Sequence, residues 1–371
     1  MKFNHLALAF AAIAATSVNA MATEHLKSVN PAYIDNSVPA GDDFYHHVNN
    51  GWLKAHPLTA EYARYGVFNI LNDSAENQVK EIVLNLGATN PEPGTNAFKI
   101  WTLYSQGMDS VRRNAEGAAP IQADLRKIES TTPEGMADLL LWMHKYYSSP
   151  FFGAGPMEDM ADSNRYAMYV SGGSMGLGDR DYYLNNDKET LKIRNAYKKL
   201  IVDQMVNAGF KKKDAKRIME NVLKIETAIA DSALTREESR NIPAMYNPRT
   251  LDQLKADYPH IQWDRFFVET MDIETPQQFI LTEPKGMKQA DNLLATLSDR
   301  EIKDYYLWKY VAQAAPYLSD KFTDTSFEFA KVRSGVQQQR PRWKRALGVP
   351  DSYMGCLLYT SPSPRDSTSS R

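Results

Sequence analysis

Apolar residues recur at helical spacing through most of this chain, and this period restricts its fold more than any other feature. In residues 214–234 the apolar positions share one helical face: Ile218, Val222, Ile225 and Ile229. Such a face must be buried against other elements, so it predicts an amphipathic helix within a helical assembly. Residues 73–87 predict another helix, which begins at the capping pair Asp73 and Glu76 and ends at Gly87.

The same spacing predicts helices at residues 98–108, 133–143, 188–209, 252–255, 263–270, 287–297 and 299–317. Residues 151–178 differ, because Tyr166, Met168 and Val170 alternate with other residues after the break at 162–164. This pattern predicts a small β-hairpin followed by a glycine-rich loop. Its glycines match neither a dinucleotide nor a P-loop fingerprint. The predicted fold class is therefore mainly α, with many helices and a small β-hairpin.

The first twenty residues predict an export signal. Lys2 precedes an apolar run over residues 6–18, and small residues stand at the positions that signal peptidase reads before Ala20. The run is shorter than the about 20 residues of a membrane-spanning helix. We therefore expect a signal peptide at 1–20 and a linker at 21–40. The protein is then periplasmic or secreted, or tethered to the inner membrane if the signal stays uncleaved.

Composition limits the classes of partner that the protein can bind and indicates which interactions stabilise its fold. The chain has 43 Lys and Arg against 45 Asp and Glu, a formal charge of −2, so we expect no nucleic-acid partner. Cys356 is the single cysteine, so stability must come from apolar burial rather than disulfides. Cys356 also begins the tail CLLYTSPSPRDSTSSR, residues 356–371, which resembles a translated transposon-based sequencing adapter. We interpret this tail as an artefact and exclude it from the fold.

Two acids and two adjacent histidines in DDFYHHVNNGW, residues 42–52, raise the question of a metal site. Catalytic zinc on a helix usually uses H-E-x-x-H, but none of the seven histidines is followed by Glu. His46 and His47 are neighbours, so on a helix they point about 100° apart. Residues 172–176 have the G-x-S-x-G spacing of a nucleophile elbow, but Ser174 has no His and Asp partners that the sequence makes visible. By spacing alone, we assign this chain no catalytic residue and no metal ligand.

Residues 34–71 nevertheless resemble the N-terminal signature of the neprilysin and endothelin-converting-enzyme family of zinc metallopeptidases, which includes bacterial oligopeptidases. The matching motifs are D-D-F-Y at 42–45, Pro57 and R-Y-G-x-F at 64–68, while residues 51–53 read G-W-L where the family has G-x-W-L. GLGDRDYYL at 176–184 is similar to the family's G-L-G-L-P-D-R-D-Y-Y-L without its Leu-Pro. KIETAIADSALTREESRN, MYNPRTLDQL, YLSDKF and QQRPRWKRAL follow in the family's order, so the resemblance covers about residues 30–350.

The resemblance implies that residues 41–350 form the helical cap, the N-terminal part of a two-domain gluzincin metallopeptidase that hydrolyses small peptides. It implies zinc in the complete enzyme, where zinc lowers the pKa of bound water and a glutamate accepts the proton. The zinc ligands would belong to the C-terminal catalytic domain of the same polypeptide, which we expect to lie beyond this chain. This fragment is then expected to bind no zinc and to be inactive alone.

One residue acquires a substrate-binding role from the resemblance. Arg64 stands at the arginine of the R-Y-G segment, which in the family binds the carboxylate of a short peptide. A planar guanidinium holds a carboxylate through two parallel hydrogen bonds, which lysine cannot reproduce. The alternative for Arg64 is a surface or inter-helix salt bridge.

The other motif residues have structural interpretations. We expect Asp43 to cap a helix, Phe44 and Trp52 to lie in a core, and residues 181–183 to pin the hairpin loop to neighbouring helices. Two other functional classes stay open at this point. One is a non-enzymatic periplasmic helical binding or scaffold protein that ends near residue 355, and the other is an unrelated carboxylate-dependent hydrolase.

Overall fold

The computed structural model describes residues 30–147 and 150–359. The predicted signal peptide at 1–20, residues 21–29 of the predicted linker and residues 360–371 of the tail lie outside the described residues. The chain divides into two compact units, residues 1–70 and 71–371. The predicted fold class is confirmed, since helices dominate and a small sheet accompanies them.

Fifteen α-helices occur among the described residues: α1 Phe44–Ala55, α2 Val67–Ala88, α3 Asn96–Met108, α4 Ser110–Glu116, α5 Gln122–Ser130, α6 Met136–Tyr146, α7 Asp181–Leu184, α8 Lys188–Asn207, α9 Lys212–Ser232, α10 Leu251–Asp257, α11 Trp263–Met271, α12 Pro284–Thr296, α13 Asp299–Ala314, α14 Asp320–Ser334 and α15 Arg342–Tyr359. Short 3-10 turns precede or join them at Pro31–Tyr33, Ala119–Ile121, Pro133–Gly135, Glu238–Arg240, Ile242–Met245 and Ala315–Tyr317. None of the described helices is long and apolar enough to cross a membrane.

The first unit is built on α1. Asp43 caps this helix as predicted, because its side chain accepts a hydrogen bond of 3.0 Å from the backbone N–H of His46. The Pro31–Tyr33 turn lies against the helix at Gly51, where a Cβ atom would stand 2.5 Å from the backbone of the turn. Glycine at position 51 therefore permits a close approach of two backbones.

The predicted hairpin is present in the second unit. Strands β1 (Phe152–Asp159) and β2 (Asp162–Gly172) are antiparallel. They are joined at residues 160–161, whereas the sequence pattern suggested a break at 162–164.

Two further strands, β3 (Asn247–Thr250) and β4 (Gln278–Leu281), are not anticipated by the sequence pattern. They complete a sheet of order β1-β2-β4-β3, in which β4 runs parallel to β2 and antiparallel to β3. Each has only four residues, which is too short for a period of two to stand out.

The main core of the second unit lies among α8, α9, α13 and the sheet. The predicted apolar face of α9 is buried: Ile218, Val222, Ile225 and Ile229. Burying a side chain of this size contributes roughly 1.5–3 kcal/mol. Facing it, α13 buries Tyr305, Tyr306 and Val311.

A buried carboxylate joins α9 to α13. Asp304 is completely buried and accepts hydrogen bonds from Arg217 Nε (3.0 Å), Asn221 Nδ2 (2.8 Å) and Arg300 Nε (2.9 Å). Because an uncompensated buried charge costs about 3–5 kcal/mol, the two partners on α9, Arg217 and Asn221, fix the contact between the two helices.

A smaller core joins α2, α3 and α15. Its buried members are Val79, Val83, Ile100, Tyr104, Ala346, Leu347 and Leu358. The prediction that Gly87 ends α2 is wrong, because the helix continues to Ala88. A Cβ atom on Gly87 would stand 2.5 Å from the Trp101 ring, so this glycine permits contact between two helices.

The predicted start of α2 is also wrong. The helix begins at Val67, before Asp73 and Glu76, and these acids do not cap it. Their carboxylates instead meet α15, where Lys344 Nζ lies 2.8 Å from Asp73 and Arg340 pairs with Glu76. The spacing of two acids by three residues is compatible both with a helix cap and with ion pairs, so the sequence alone does not distinguish them.

Helix α15 continues past Cys356 to Tyr359, into the stretch interpreted as adapter sequence. Met354 departs from helical geometry with φ −137°, which marks a kink, and Leu358 is buried in the smaller core. The adapter interpretation stays a prediction.

His144, in the last turn of α6, lies between two backbone carbonyl groups. Its Nδ1 is 2.9 Å from Leu140 O and its Nε2 is 3.2 Å from Phe152 O. A neutral imidazole carries one N–H, so it can donate to only one of them. The rings of Phe152 and Phe266 flank it at 4.6 and 5.2 Å, and burial lowers the pKa of His144 below 6.5.

We predict that acid destabilises the protein partly through His144. Its pKa is lower in the folded than in the unfolded chain, so below pH 6.5 protons bind the unfolded chain preferentially and stability falls. His144→Asn should reduce the loss in free energy of unfolding between about pH 7.5 and about pH 5, measured by urea denaturation. An equal loss in the variant would contradict this assignment.

Candidate functional site

Arg64, which carries the predicted substrate-binding role, lies between α1 and α2 in the first unit. Residues 61–66 form neither helix nor strand, and the Arg64 side chain is exposed. Within residues 30–147 and 150–359 this guanidinium has neither a hydrogen bond nor an ion pair. Its donors can therefore meet an external carboxylate without breaking an internal contact.

Five rings of the first unit form an aromatic row that includes Tyr65, the residue after Arg64: Tyr33, Trp52, His56, Tyr62 and Tyr65. Tyr65 lies edge-on to Tyr62 at 5.0 Å and stacks on Trp52 at 6.4 Å with an interplanar angle of 27°. Trp52 stacks on His56 at 4.6 Å, and Tyr33 meets His56 edge-on at 6.4 Å. Aromatic pairs in these arrangements are each worth about 0.5–1.5 kcal/mol beyond burial.

The backbone after Tyr65 is fixed by the start of α2. Gly66 N–H donates to Asn69 Oδ1 at 3.0 Å, and Asn69 N–H donates to Gly66 O at 2.9 Å. This reciprocal pair holds the R-Y-G-x-F motif at a helix N-terminus.

The histidines of the opening motif have separate partners. His46 Nδ1 lies 2.6 Å from Asp43 Oδ2, and His47 Nδ1 lies 2.8 Å from Val38 O. The hydrogen bond from the His46 backbone N–H holds the pKa of Asp43 below its usual 3.8. These residues thus fix the first turn of α1.

The expectation that both aromatic residues of this motif lie in a core is wrong for Phe44, and Trp52 is only partly buried. Phe44 is 67% exposed. The cap at Asp43 sets the start of the helix and leaves the next side chain facing solvent.

No group of three or more His, Cys, Asp or Glu side chains in the described part of the chain could hold a metal ion. The donor set of these residues therefore does not fit zinc. The proposal that zinc ligands belong to another part of the polypeptide stays a prediction.

The second unit contains a buried carboxylate, Glu226, that is completely enclosed. Tyr183 Oη donates to Glu226 Oε2 at 2.7 Å and Tyr197 Oη donates to the same oxygen at 3.0 Å. Lys309 Nζ lies 3.3 Å from Oε1, and Gly176 N–H donates to Oε1 at 3.1 Å. Burial and the charge of Glu226 raise the pKa values of both tyrosines well above 10.

This network holds the glycine-rich loop after β2. Tyr183 Oη also accepts a hydrogen bond of 2.9 Å from Leu177 N–H, and Lys309 Nζ donates to Ser174 O at 3.1 Å. The prediction that residues 181–183 pin this loop is confirmed for Tyr183. The sequence pattern did not identify Glu226 and Lys309 as partners of this loop. The one available signal was the presence of an acidic residue, Glu226, within the apolar face of α9.

A cavity of about 190 Å³ adjoins the network. Its lining comes from α8, α13, the 3-10 turn after α13, α14 and the loop: Gly176, Tyr197, Leu200, Gln204, Trp308, Lys309, Ala312, Ala315, Ser326 and Phe329. Most of its polar groups bond to protein partners, as when Gln204 Nε2 donates to Ser326 Oγ at 2.9 Å and Lys309 Nζ donates to Ser174 O at 3.1 Å, while Gln204 Oε1 is buried without a hydrogen-bond partner among the described residues. Nothing in this lining selects a class of ligand.

We predict that Gly176→Ala disrupts the network, because a Cβ atom would overlap Tyr197 Oη. The free energy of unfolding should fall by roughly 1–3 kcal/mol or more, as for overfilled cores. Gly155→Ala is the matched control, because its Cβ meets nothing within 4 Å. Equal stability of the two variants in thermal unfolding would refute the role of Gly176.

Comparison with known proteins finds relatives that match most of the chain. Guinea-pig (Cavia porcellus) endothelin-converting enzyme 1 is 26% identical over 342 residues, which cover 89% of this chain and 44% of that enzyme. Neprilysin-1 of Caenorhabditis elegans is 25% identical over 350 residues, covering 87% and 45% respectively. The chain spans about half the length of the relatives it matches.

A solved structure shows the same fold. The crystal structure of the Mycobacterium tuberculosis zinc metalloprotease Zmp1 in complex with inhibitor matches with a TM-score of 0.81 at 26% identity. The match covers 89% of this chain and 50% of the Zmp1 chain. The family model described as "Peptidase family M13" matches residues 40–360, most of the sequence. The chain therefore belongs to peptidase family M13.

Proposed function

We propose that this chain is the N-terminal, mainly helical part of an exported zinc metalloendopeptidase that hydrolyses small peptides. The observation that carries the proposal is the family match over residues 40–360. Support also comes from Zmp1, which is described as a zinc metalloprotease and shares the fold at 26% identity.

The proposed organisation follows the sequence. Residues 1–20 are the signal peptide, 21–40 a linker, 41–350 the helical domain, and 356–371 adapter-derived sequence. The protein is periplasmic or secreted, or tethered to the inner membrane if the signal is retained. Its partners are small peptides and the C-terminal catalytic domain of the same polypeptide, without nucleic acid.

Zinc in such an enzyme lowers the pKa of a bound water to about 7 and polarises the peptide carbonyl. Among residues 30–147 and 150–359, no group of three or more His, Cys, Asp or Glu side chains could hold a metal ion. We infer that the ligands, the general base and the group that stabilises the oxyanion belong to the C-terminal domain. This chain alone should then be inactive.

The rival function is a non-enzymatic periplasmic helical binding or scaffold protein. Reading the genomic locus in frame past Gly355 separates the two functions. An H-E-x-x-H motif followed by a further glutamate supports the peptidase, whereas a stop codon near that point supports the rival.

The proposed role of Arg64 is to bind the C-terminal carboxylate of the peptide. It is exposed and has no ionic partner among residues 30–147 and 150–359. A guanidinium can form two charge-assisted hydrogen bonds to a carboxylate, and such bonds are worth about 1.5–3 kcal/mol. This contact would favour short peptides whose free C-terminus reaches Arg64.

We predict that Arg64→Gln in the full-length polypeptide raises KM about 10- to 100-fold for a short peptide with a free C-terminus. The KM for the same peptide with an amidated C-terminus should not change, because it offers no carboxylate. Arg126→Gln, which replaces another exposed arginine, is the matched control. Equal effects on the free and amidated peptides would reject carboxylate binding by Arg64.

A further inference from the structure

Arg64 and Tyr65 are neighbours with opposite surroundings. The Tyr65 ring is partly buried between Tyr62 at 5.0 Å and Trp52 at 6.4 Å, whereas the Arg64 side chain is exposed. One residue is thus anchored by its ring, and the residue before it is presented to solvent.

The anchor is itself held in place by α1. Trp52 stacks on His56 with an interplanar angle of 19°, and His56 Nδ1 lies 3.0 Å from Trp52 O. Beyond Tyr65, Gly66 N–H is bound by Asn69 Oδ1 at 3.0 Å. The backbone next to Arg64 is therefore fixed although residues 61–66 contain no helix or strand.

From this arrangement we propose that Tyr65, through its stacking on Trp52, is the positioning residue for Arg64. It fixes the point from which the guanidinium reaches a peptide carboxylate. This inference rests on the proposed substrate-binding role of Arg64. Tyr65 itself touches no substrate and acts through Arg64.

The physical effect is preorganisation. A guanidinium on an unrestrained loop loses conformational freedom when it binds, and this loss weakens binding. An anchored backbone has lost part of that freedom before the peptide arrives. The cost of ordering one side chain corresponds to about a twofold to tenfold change in affinity.

The test uses the full-length polypeptide with a short peptide and its amidated counterpart. Tyr65→Ala should raise KM for the free acid about twofold to tenfold and leave kcat and the amidated peptide unchanged. Tyr65→Phe keeps the stacked ring and should raise KM for the free acid less than Tyr65→Ala does. Trp52→Leu removes the other ring of the stack and should reproduce the effect of Tyr65→Ala.

Two comparisons separate positioning from general stability. In an Arg64→Gln background, Tyr65→Ala should have no further effect on KM. Tyr45→Ala removes a ring from α1 outside the aromatic row, since Tyr45 is 59% exposed, and should match the wild type. A KM increase for both peptides, or an undiminished effect of Tyr65→Ala without Arg64, would overturn the proposal.

These measurements distinguish a failure of the positioning role of Tyr65 from a failure of the substrate-binding role of Arg64. If Arg64→Gln selectively affects the free acid but Tyr65→Ala does not, the positioning role alone is overturned. If Arg64→Gln does not selectively raise KM for the free acid, the substrate-binding role of Arg64 is rejected, and the positioning role of Tyr65 is rejected with it.

Discussion

The second unit depends on one buried carboxylate, Glu226 of α9. An ionised carboxylate in an apolar core is costly unless donors surround it, and Glu226 meets donors from four other segments. These are Gly176 in the loop, Tyr183 in α7, Tyr197 in α8 and Lys309 in α13. Because each segment must be in place before the charge is compensated, the network specifies their mutual arrangement. It also explains why position 176 accepts no side chain.

Much of this fold could be predicted from sequence, because amphipathic helices carry their own signal. The apolar face of α9 and the hairpin at 152–172 are examples. Glu226 could not be assigned, since a single acid within an apolar stripe does not reveal which distant donors reach it. Strands β3 and β4 are defined by their backbone pairing with neighbouring strands rather than by an alternation of apolar and polar residues. Asp73 shows the same limit, because its partner Lys344 is far away in the chain.

At the candidate site, too, the sequence motif identifies one residue, whereas the contacts around it are visible only in the structure. The R-Y-G-x-F motif identifies Arg64 by resemblance, and sequence alone indicates its chemistry. The contacts of Tyr65 with Trp52 and of Gly66 with Asn69 become visible only in the folded unit. Family membership is established by the match over residues 40–360, while zinc chemistry and peptide specificity remain our proposals for the complete polypeptide.

The central functional claim is that peptide hydrolysis requires a part of the polypeptide beyond the residues described. Zinc content and chelator-sensitive peptidase activity, measured together on purified residues 21–355 and on the full-length polypeptide, test it most directly. We expect one bound zinc ion and peptide hydrolysis for the full-length polypeptide only. Stoichiometric zinc and chelator-sensitive cleavage of a short peptide by residues 21–355 would contradict it.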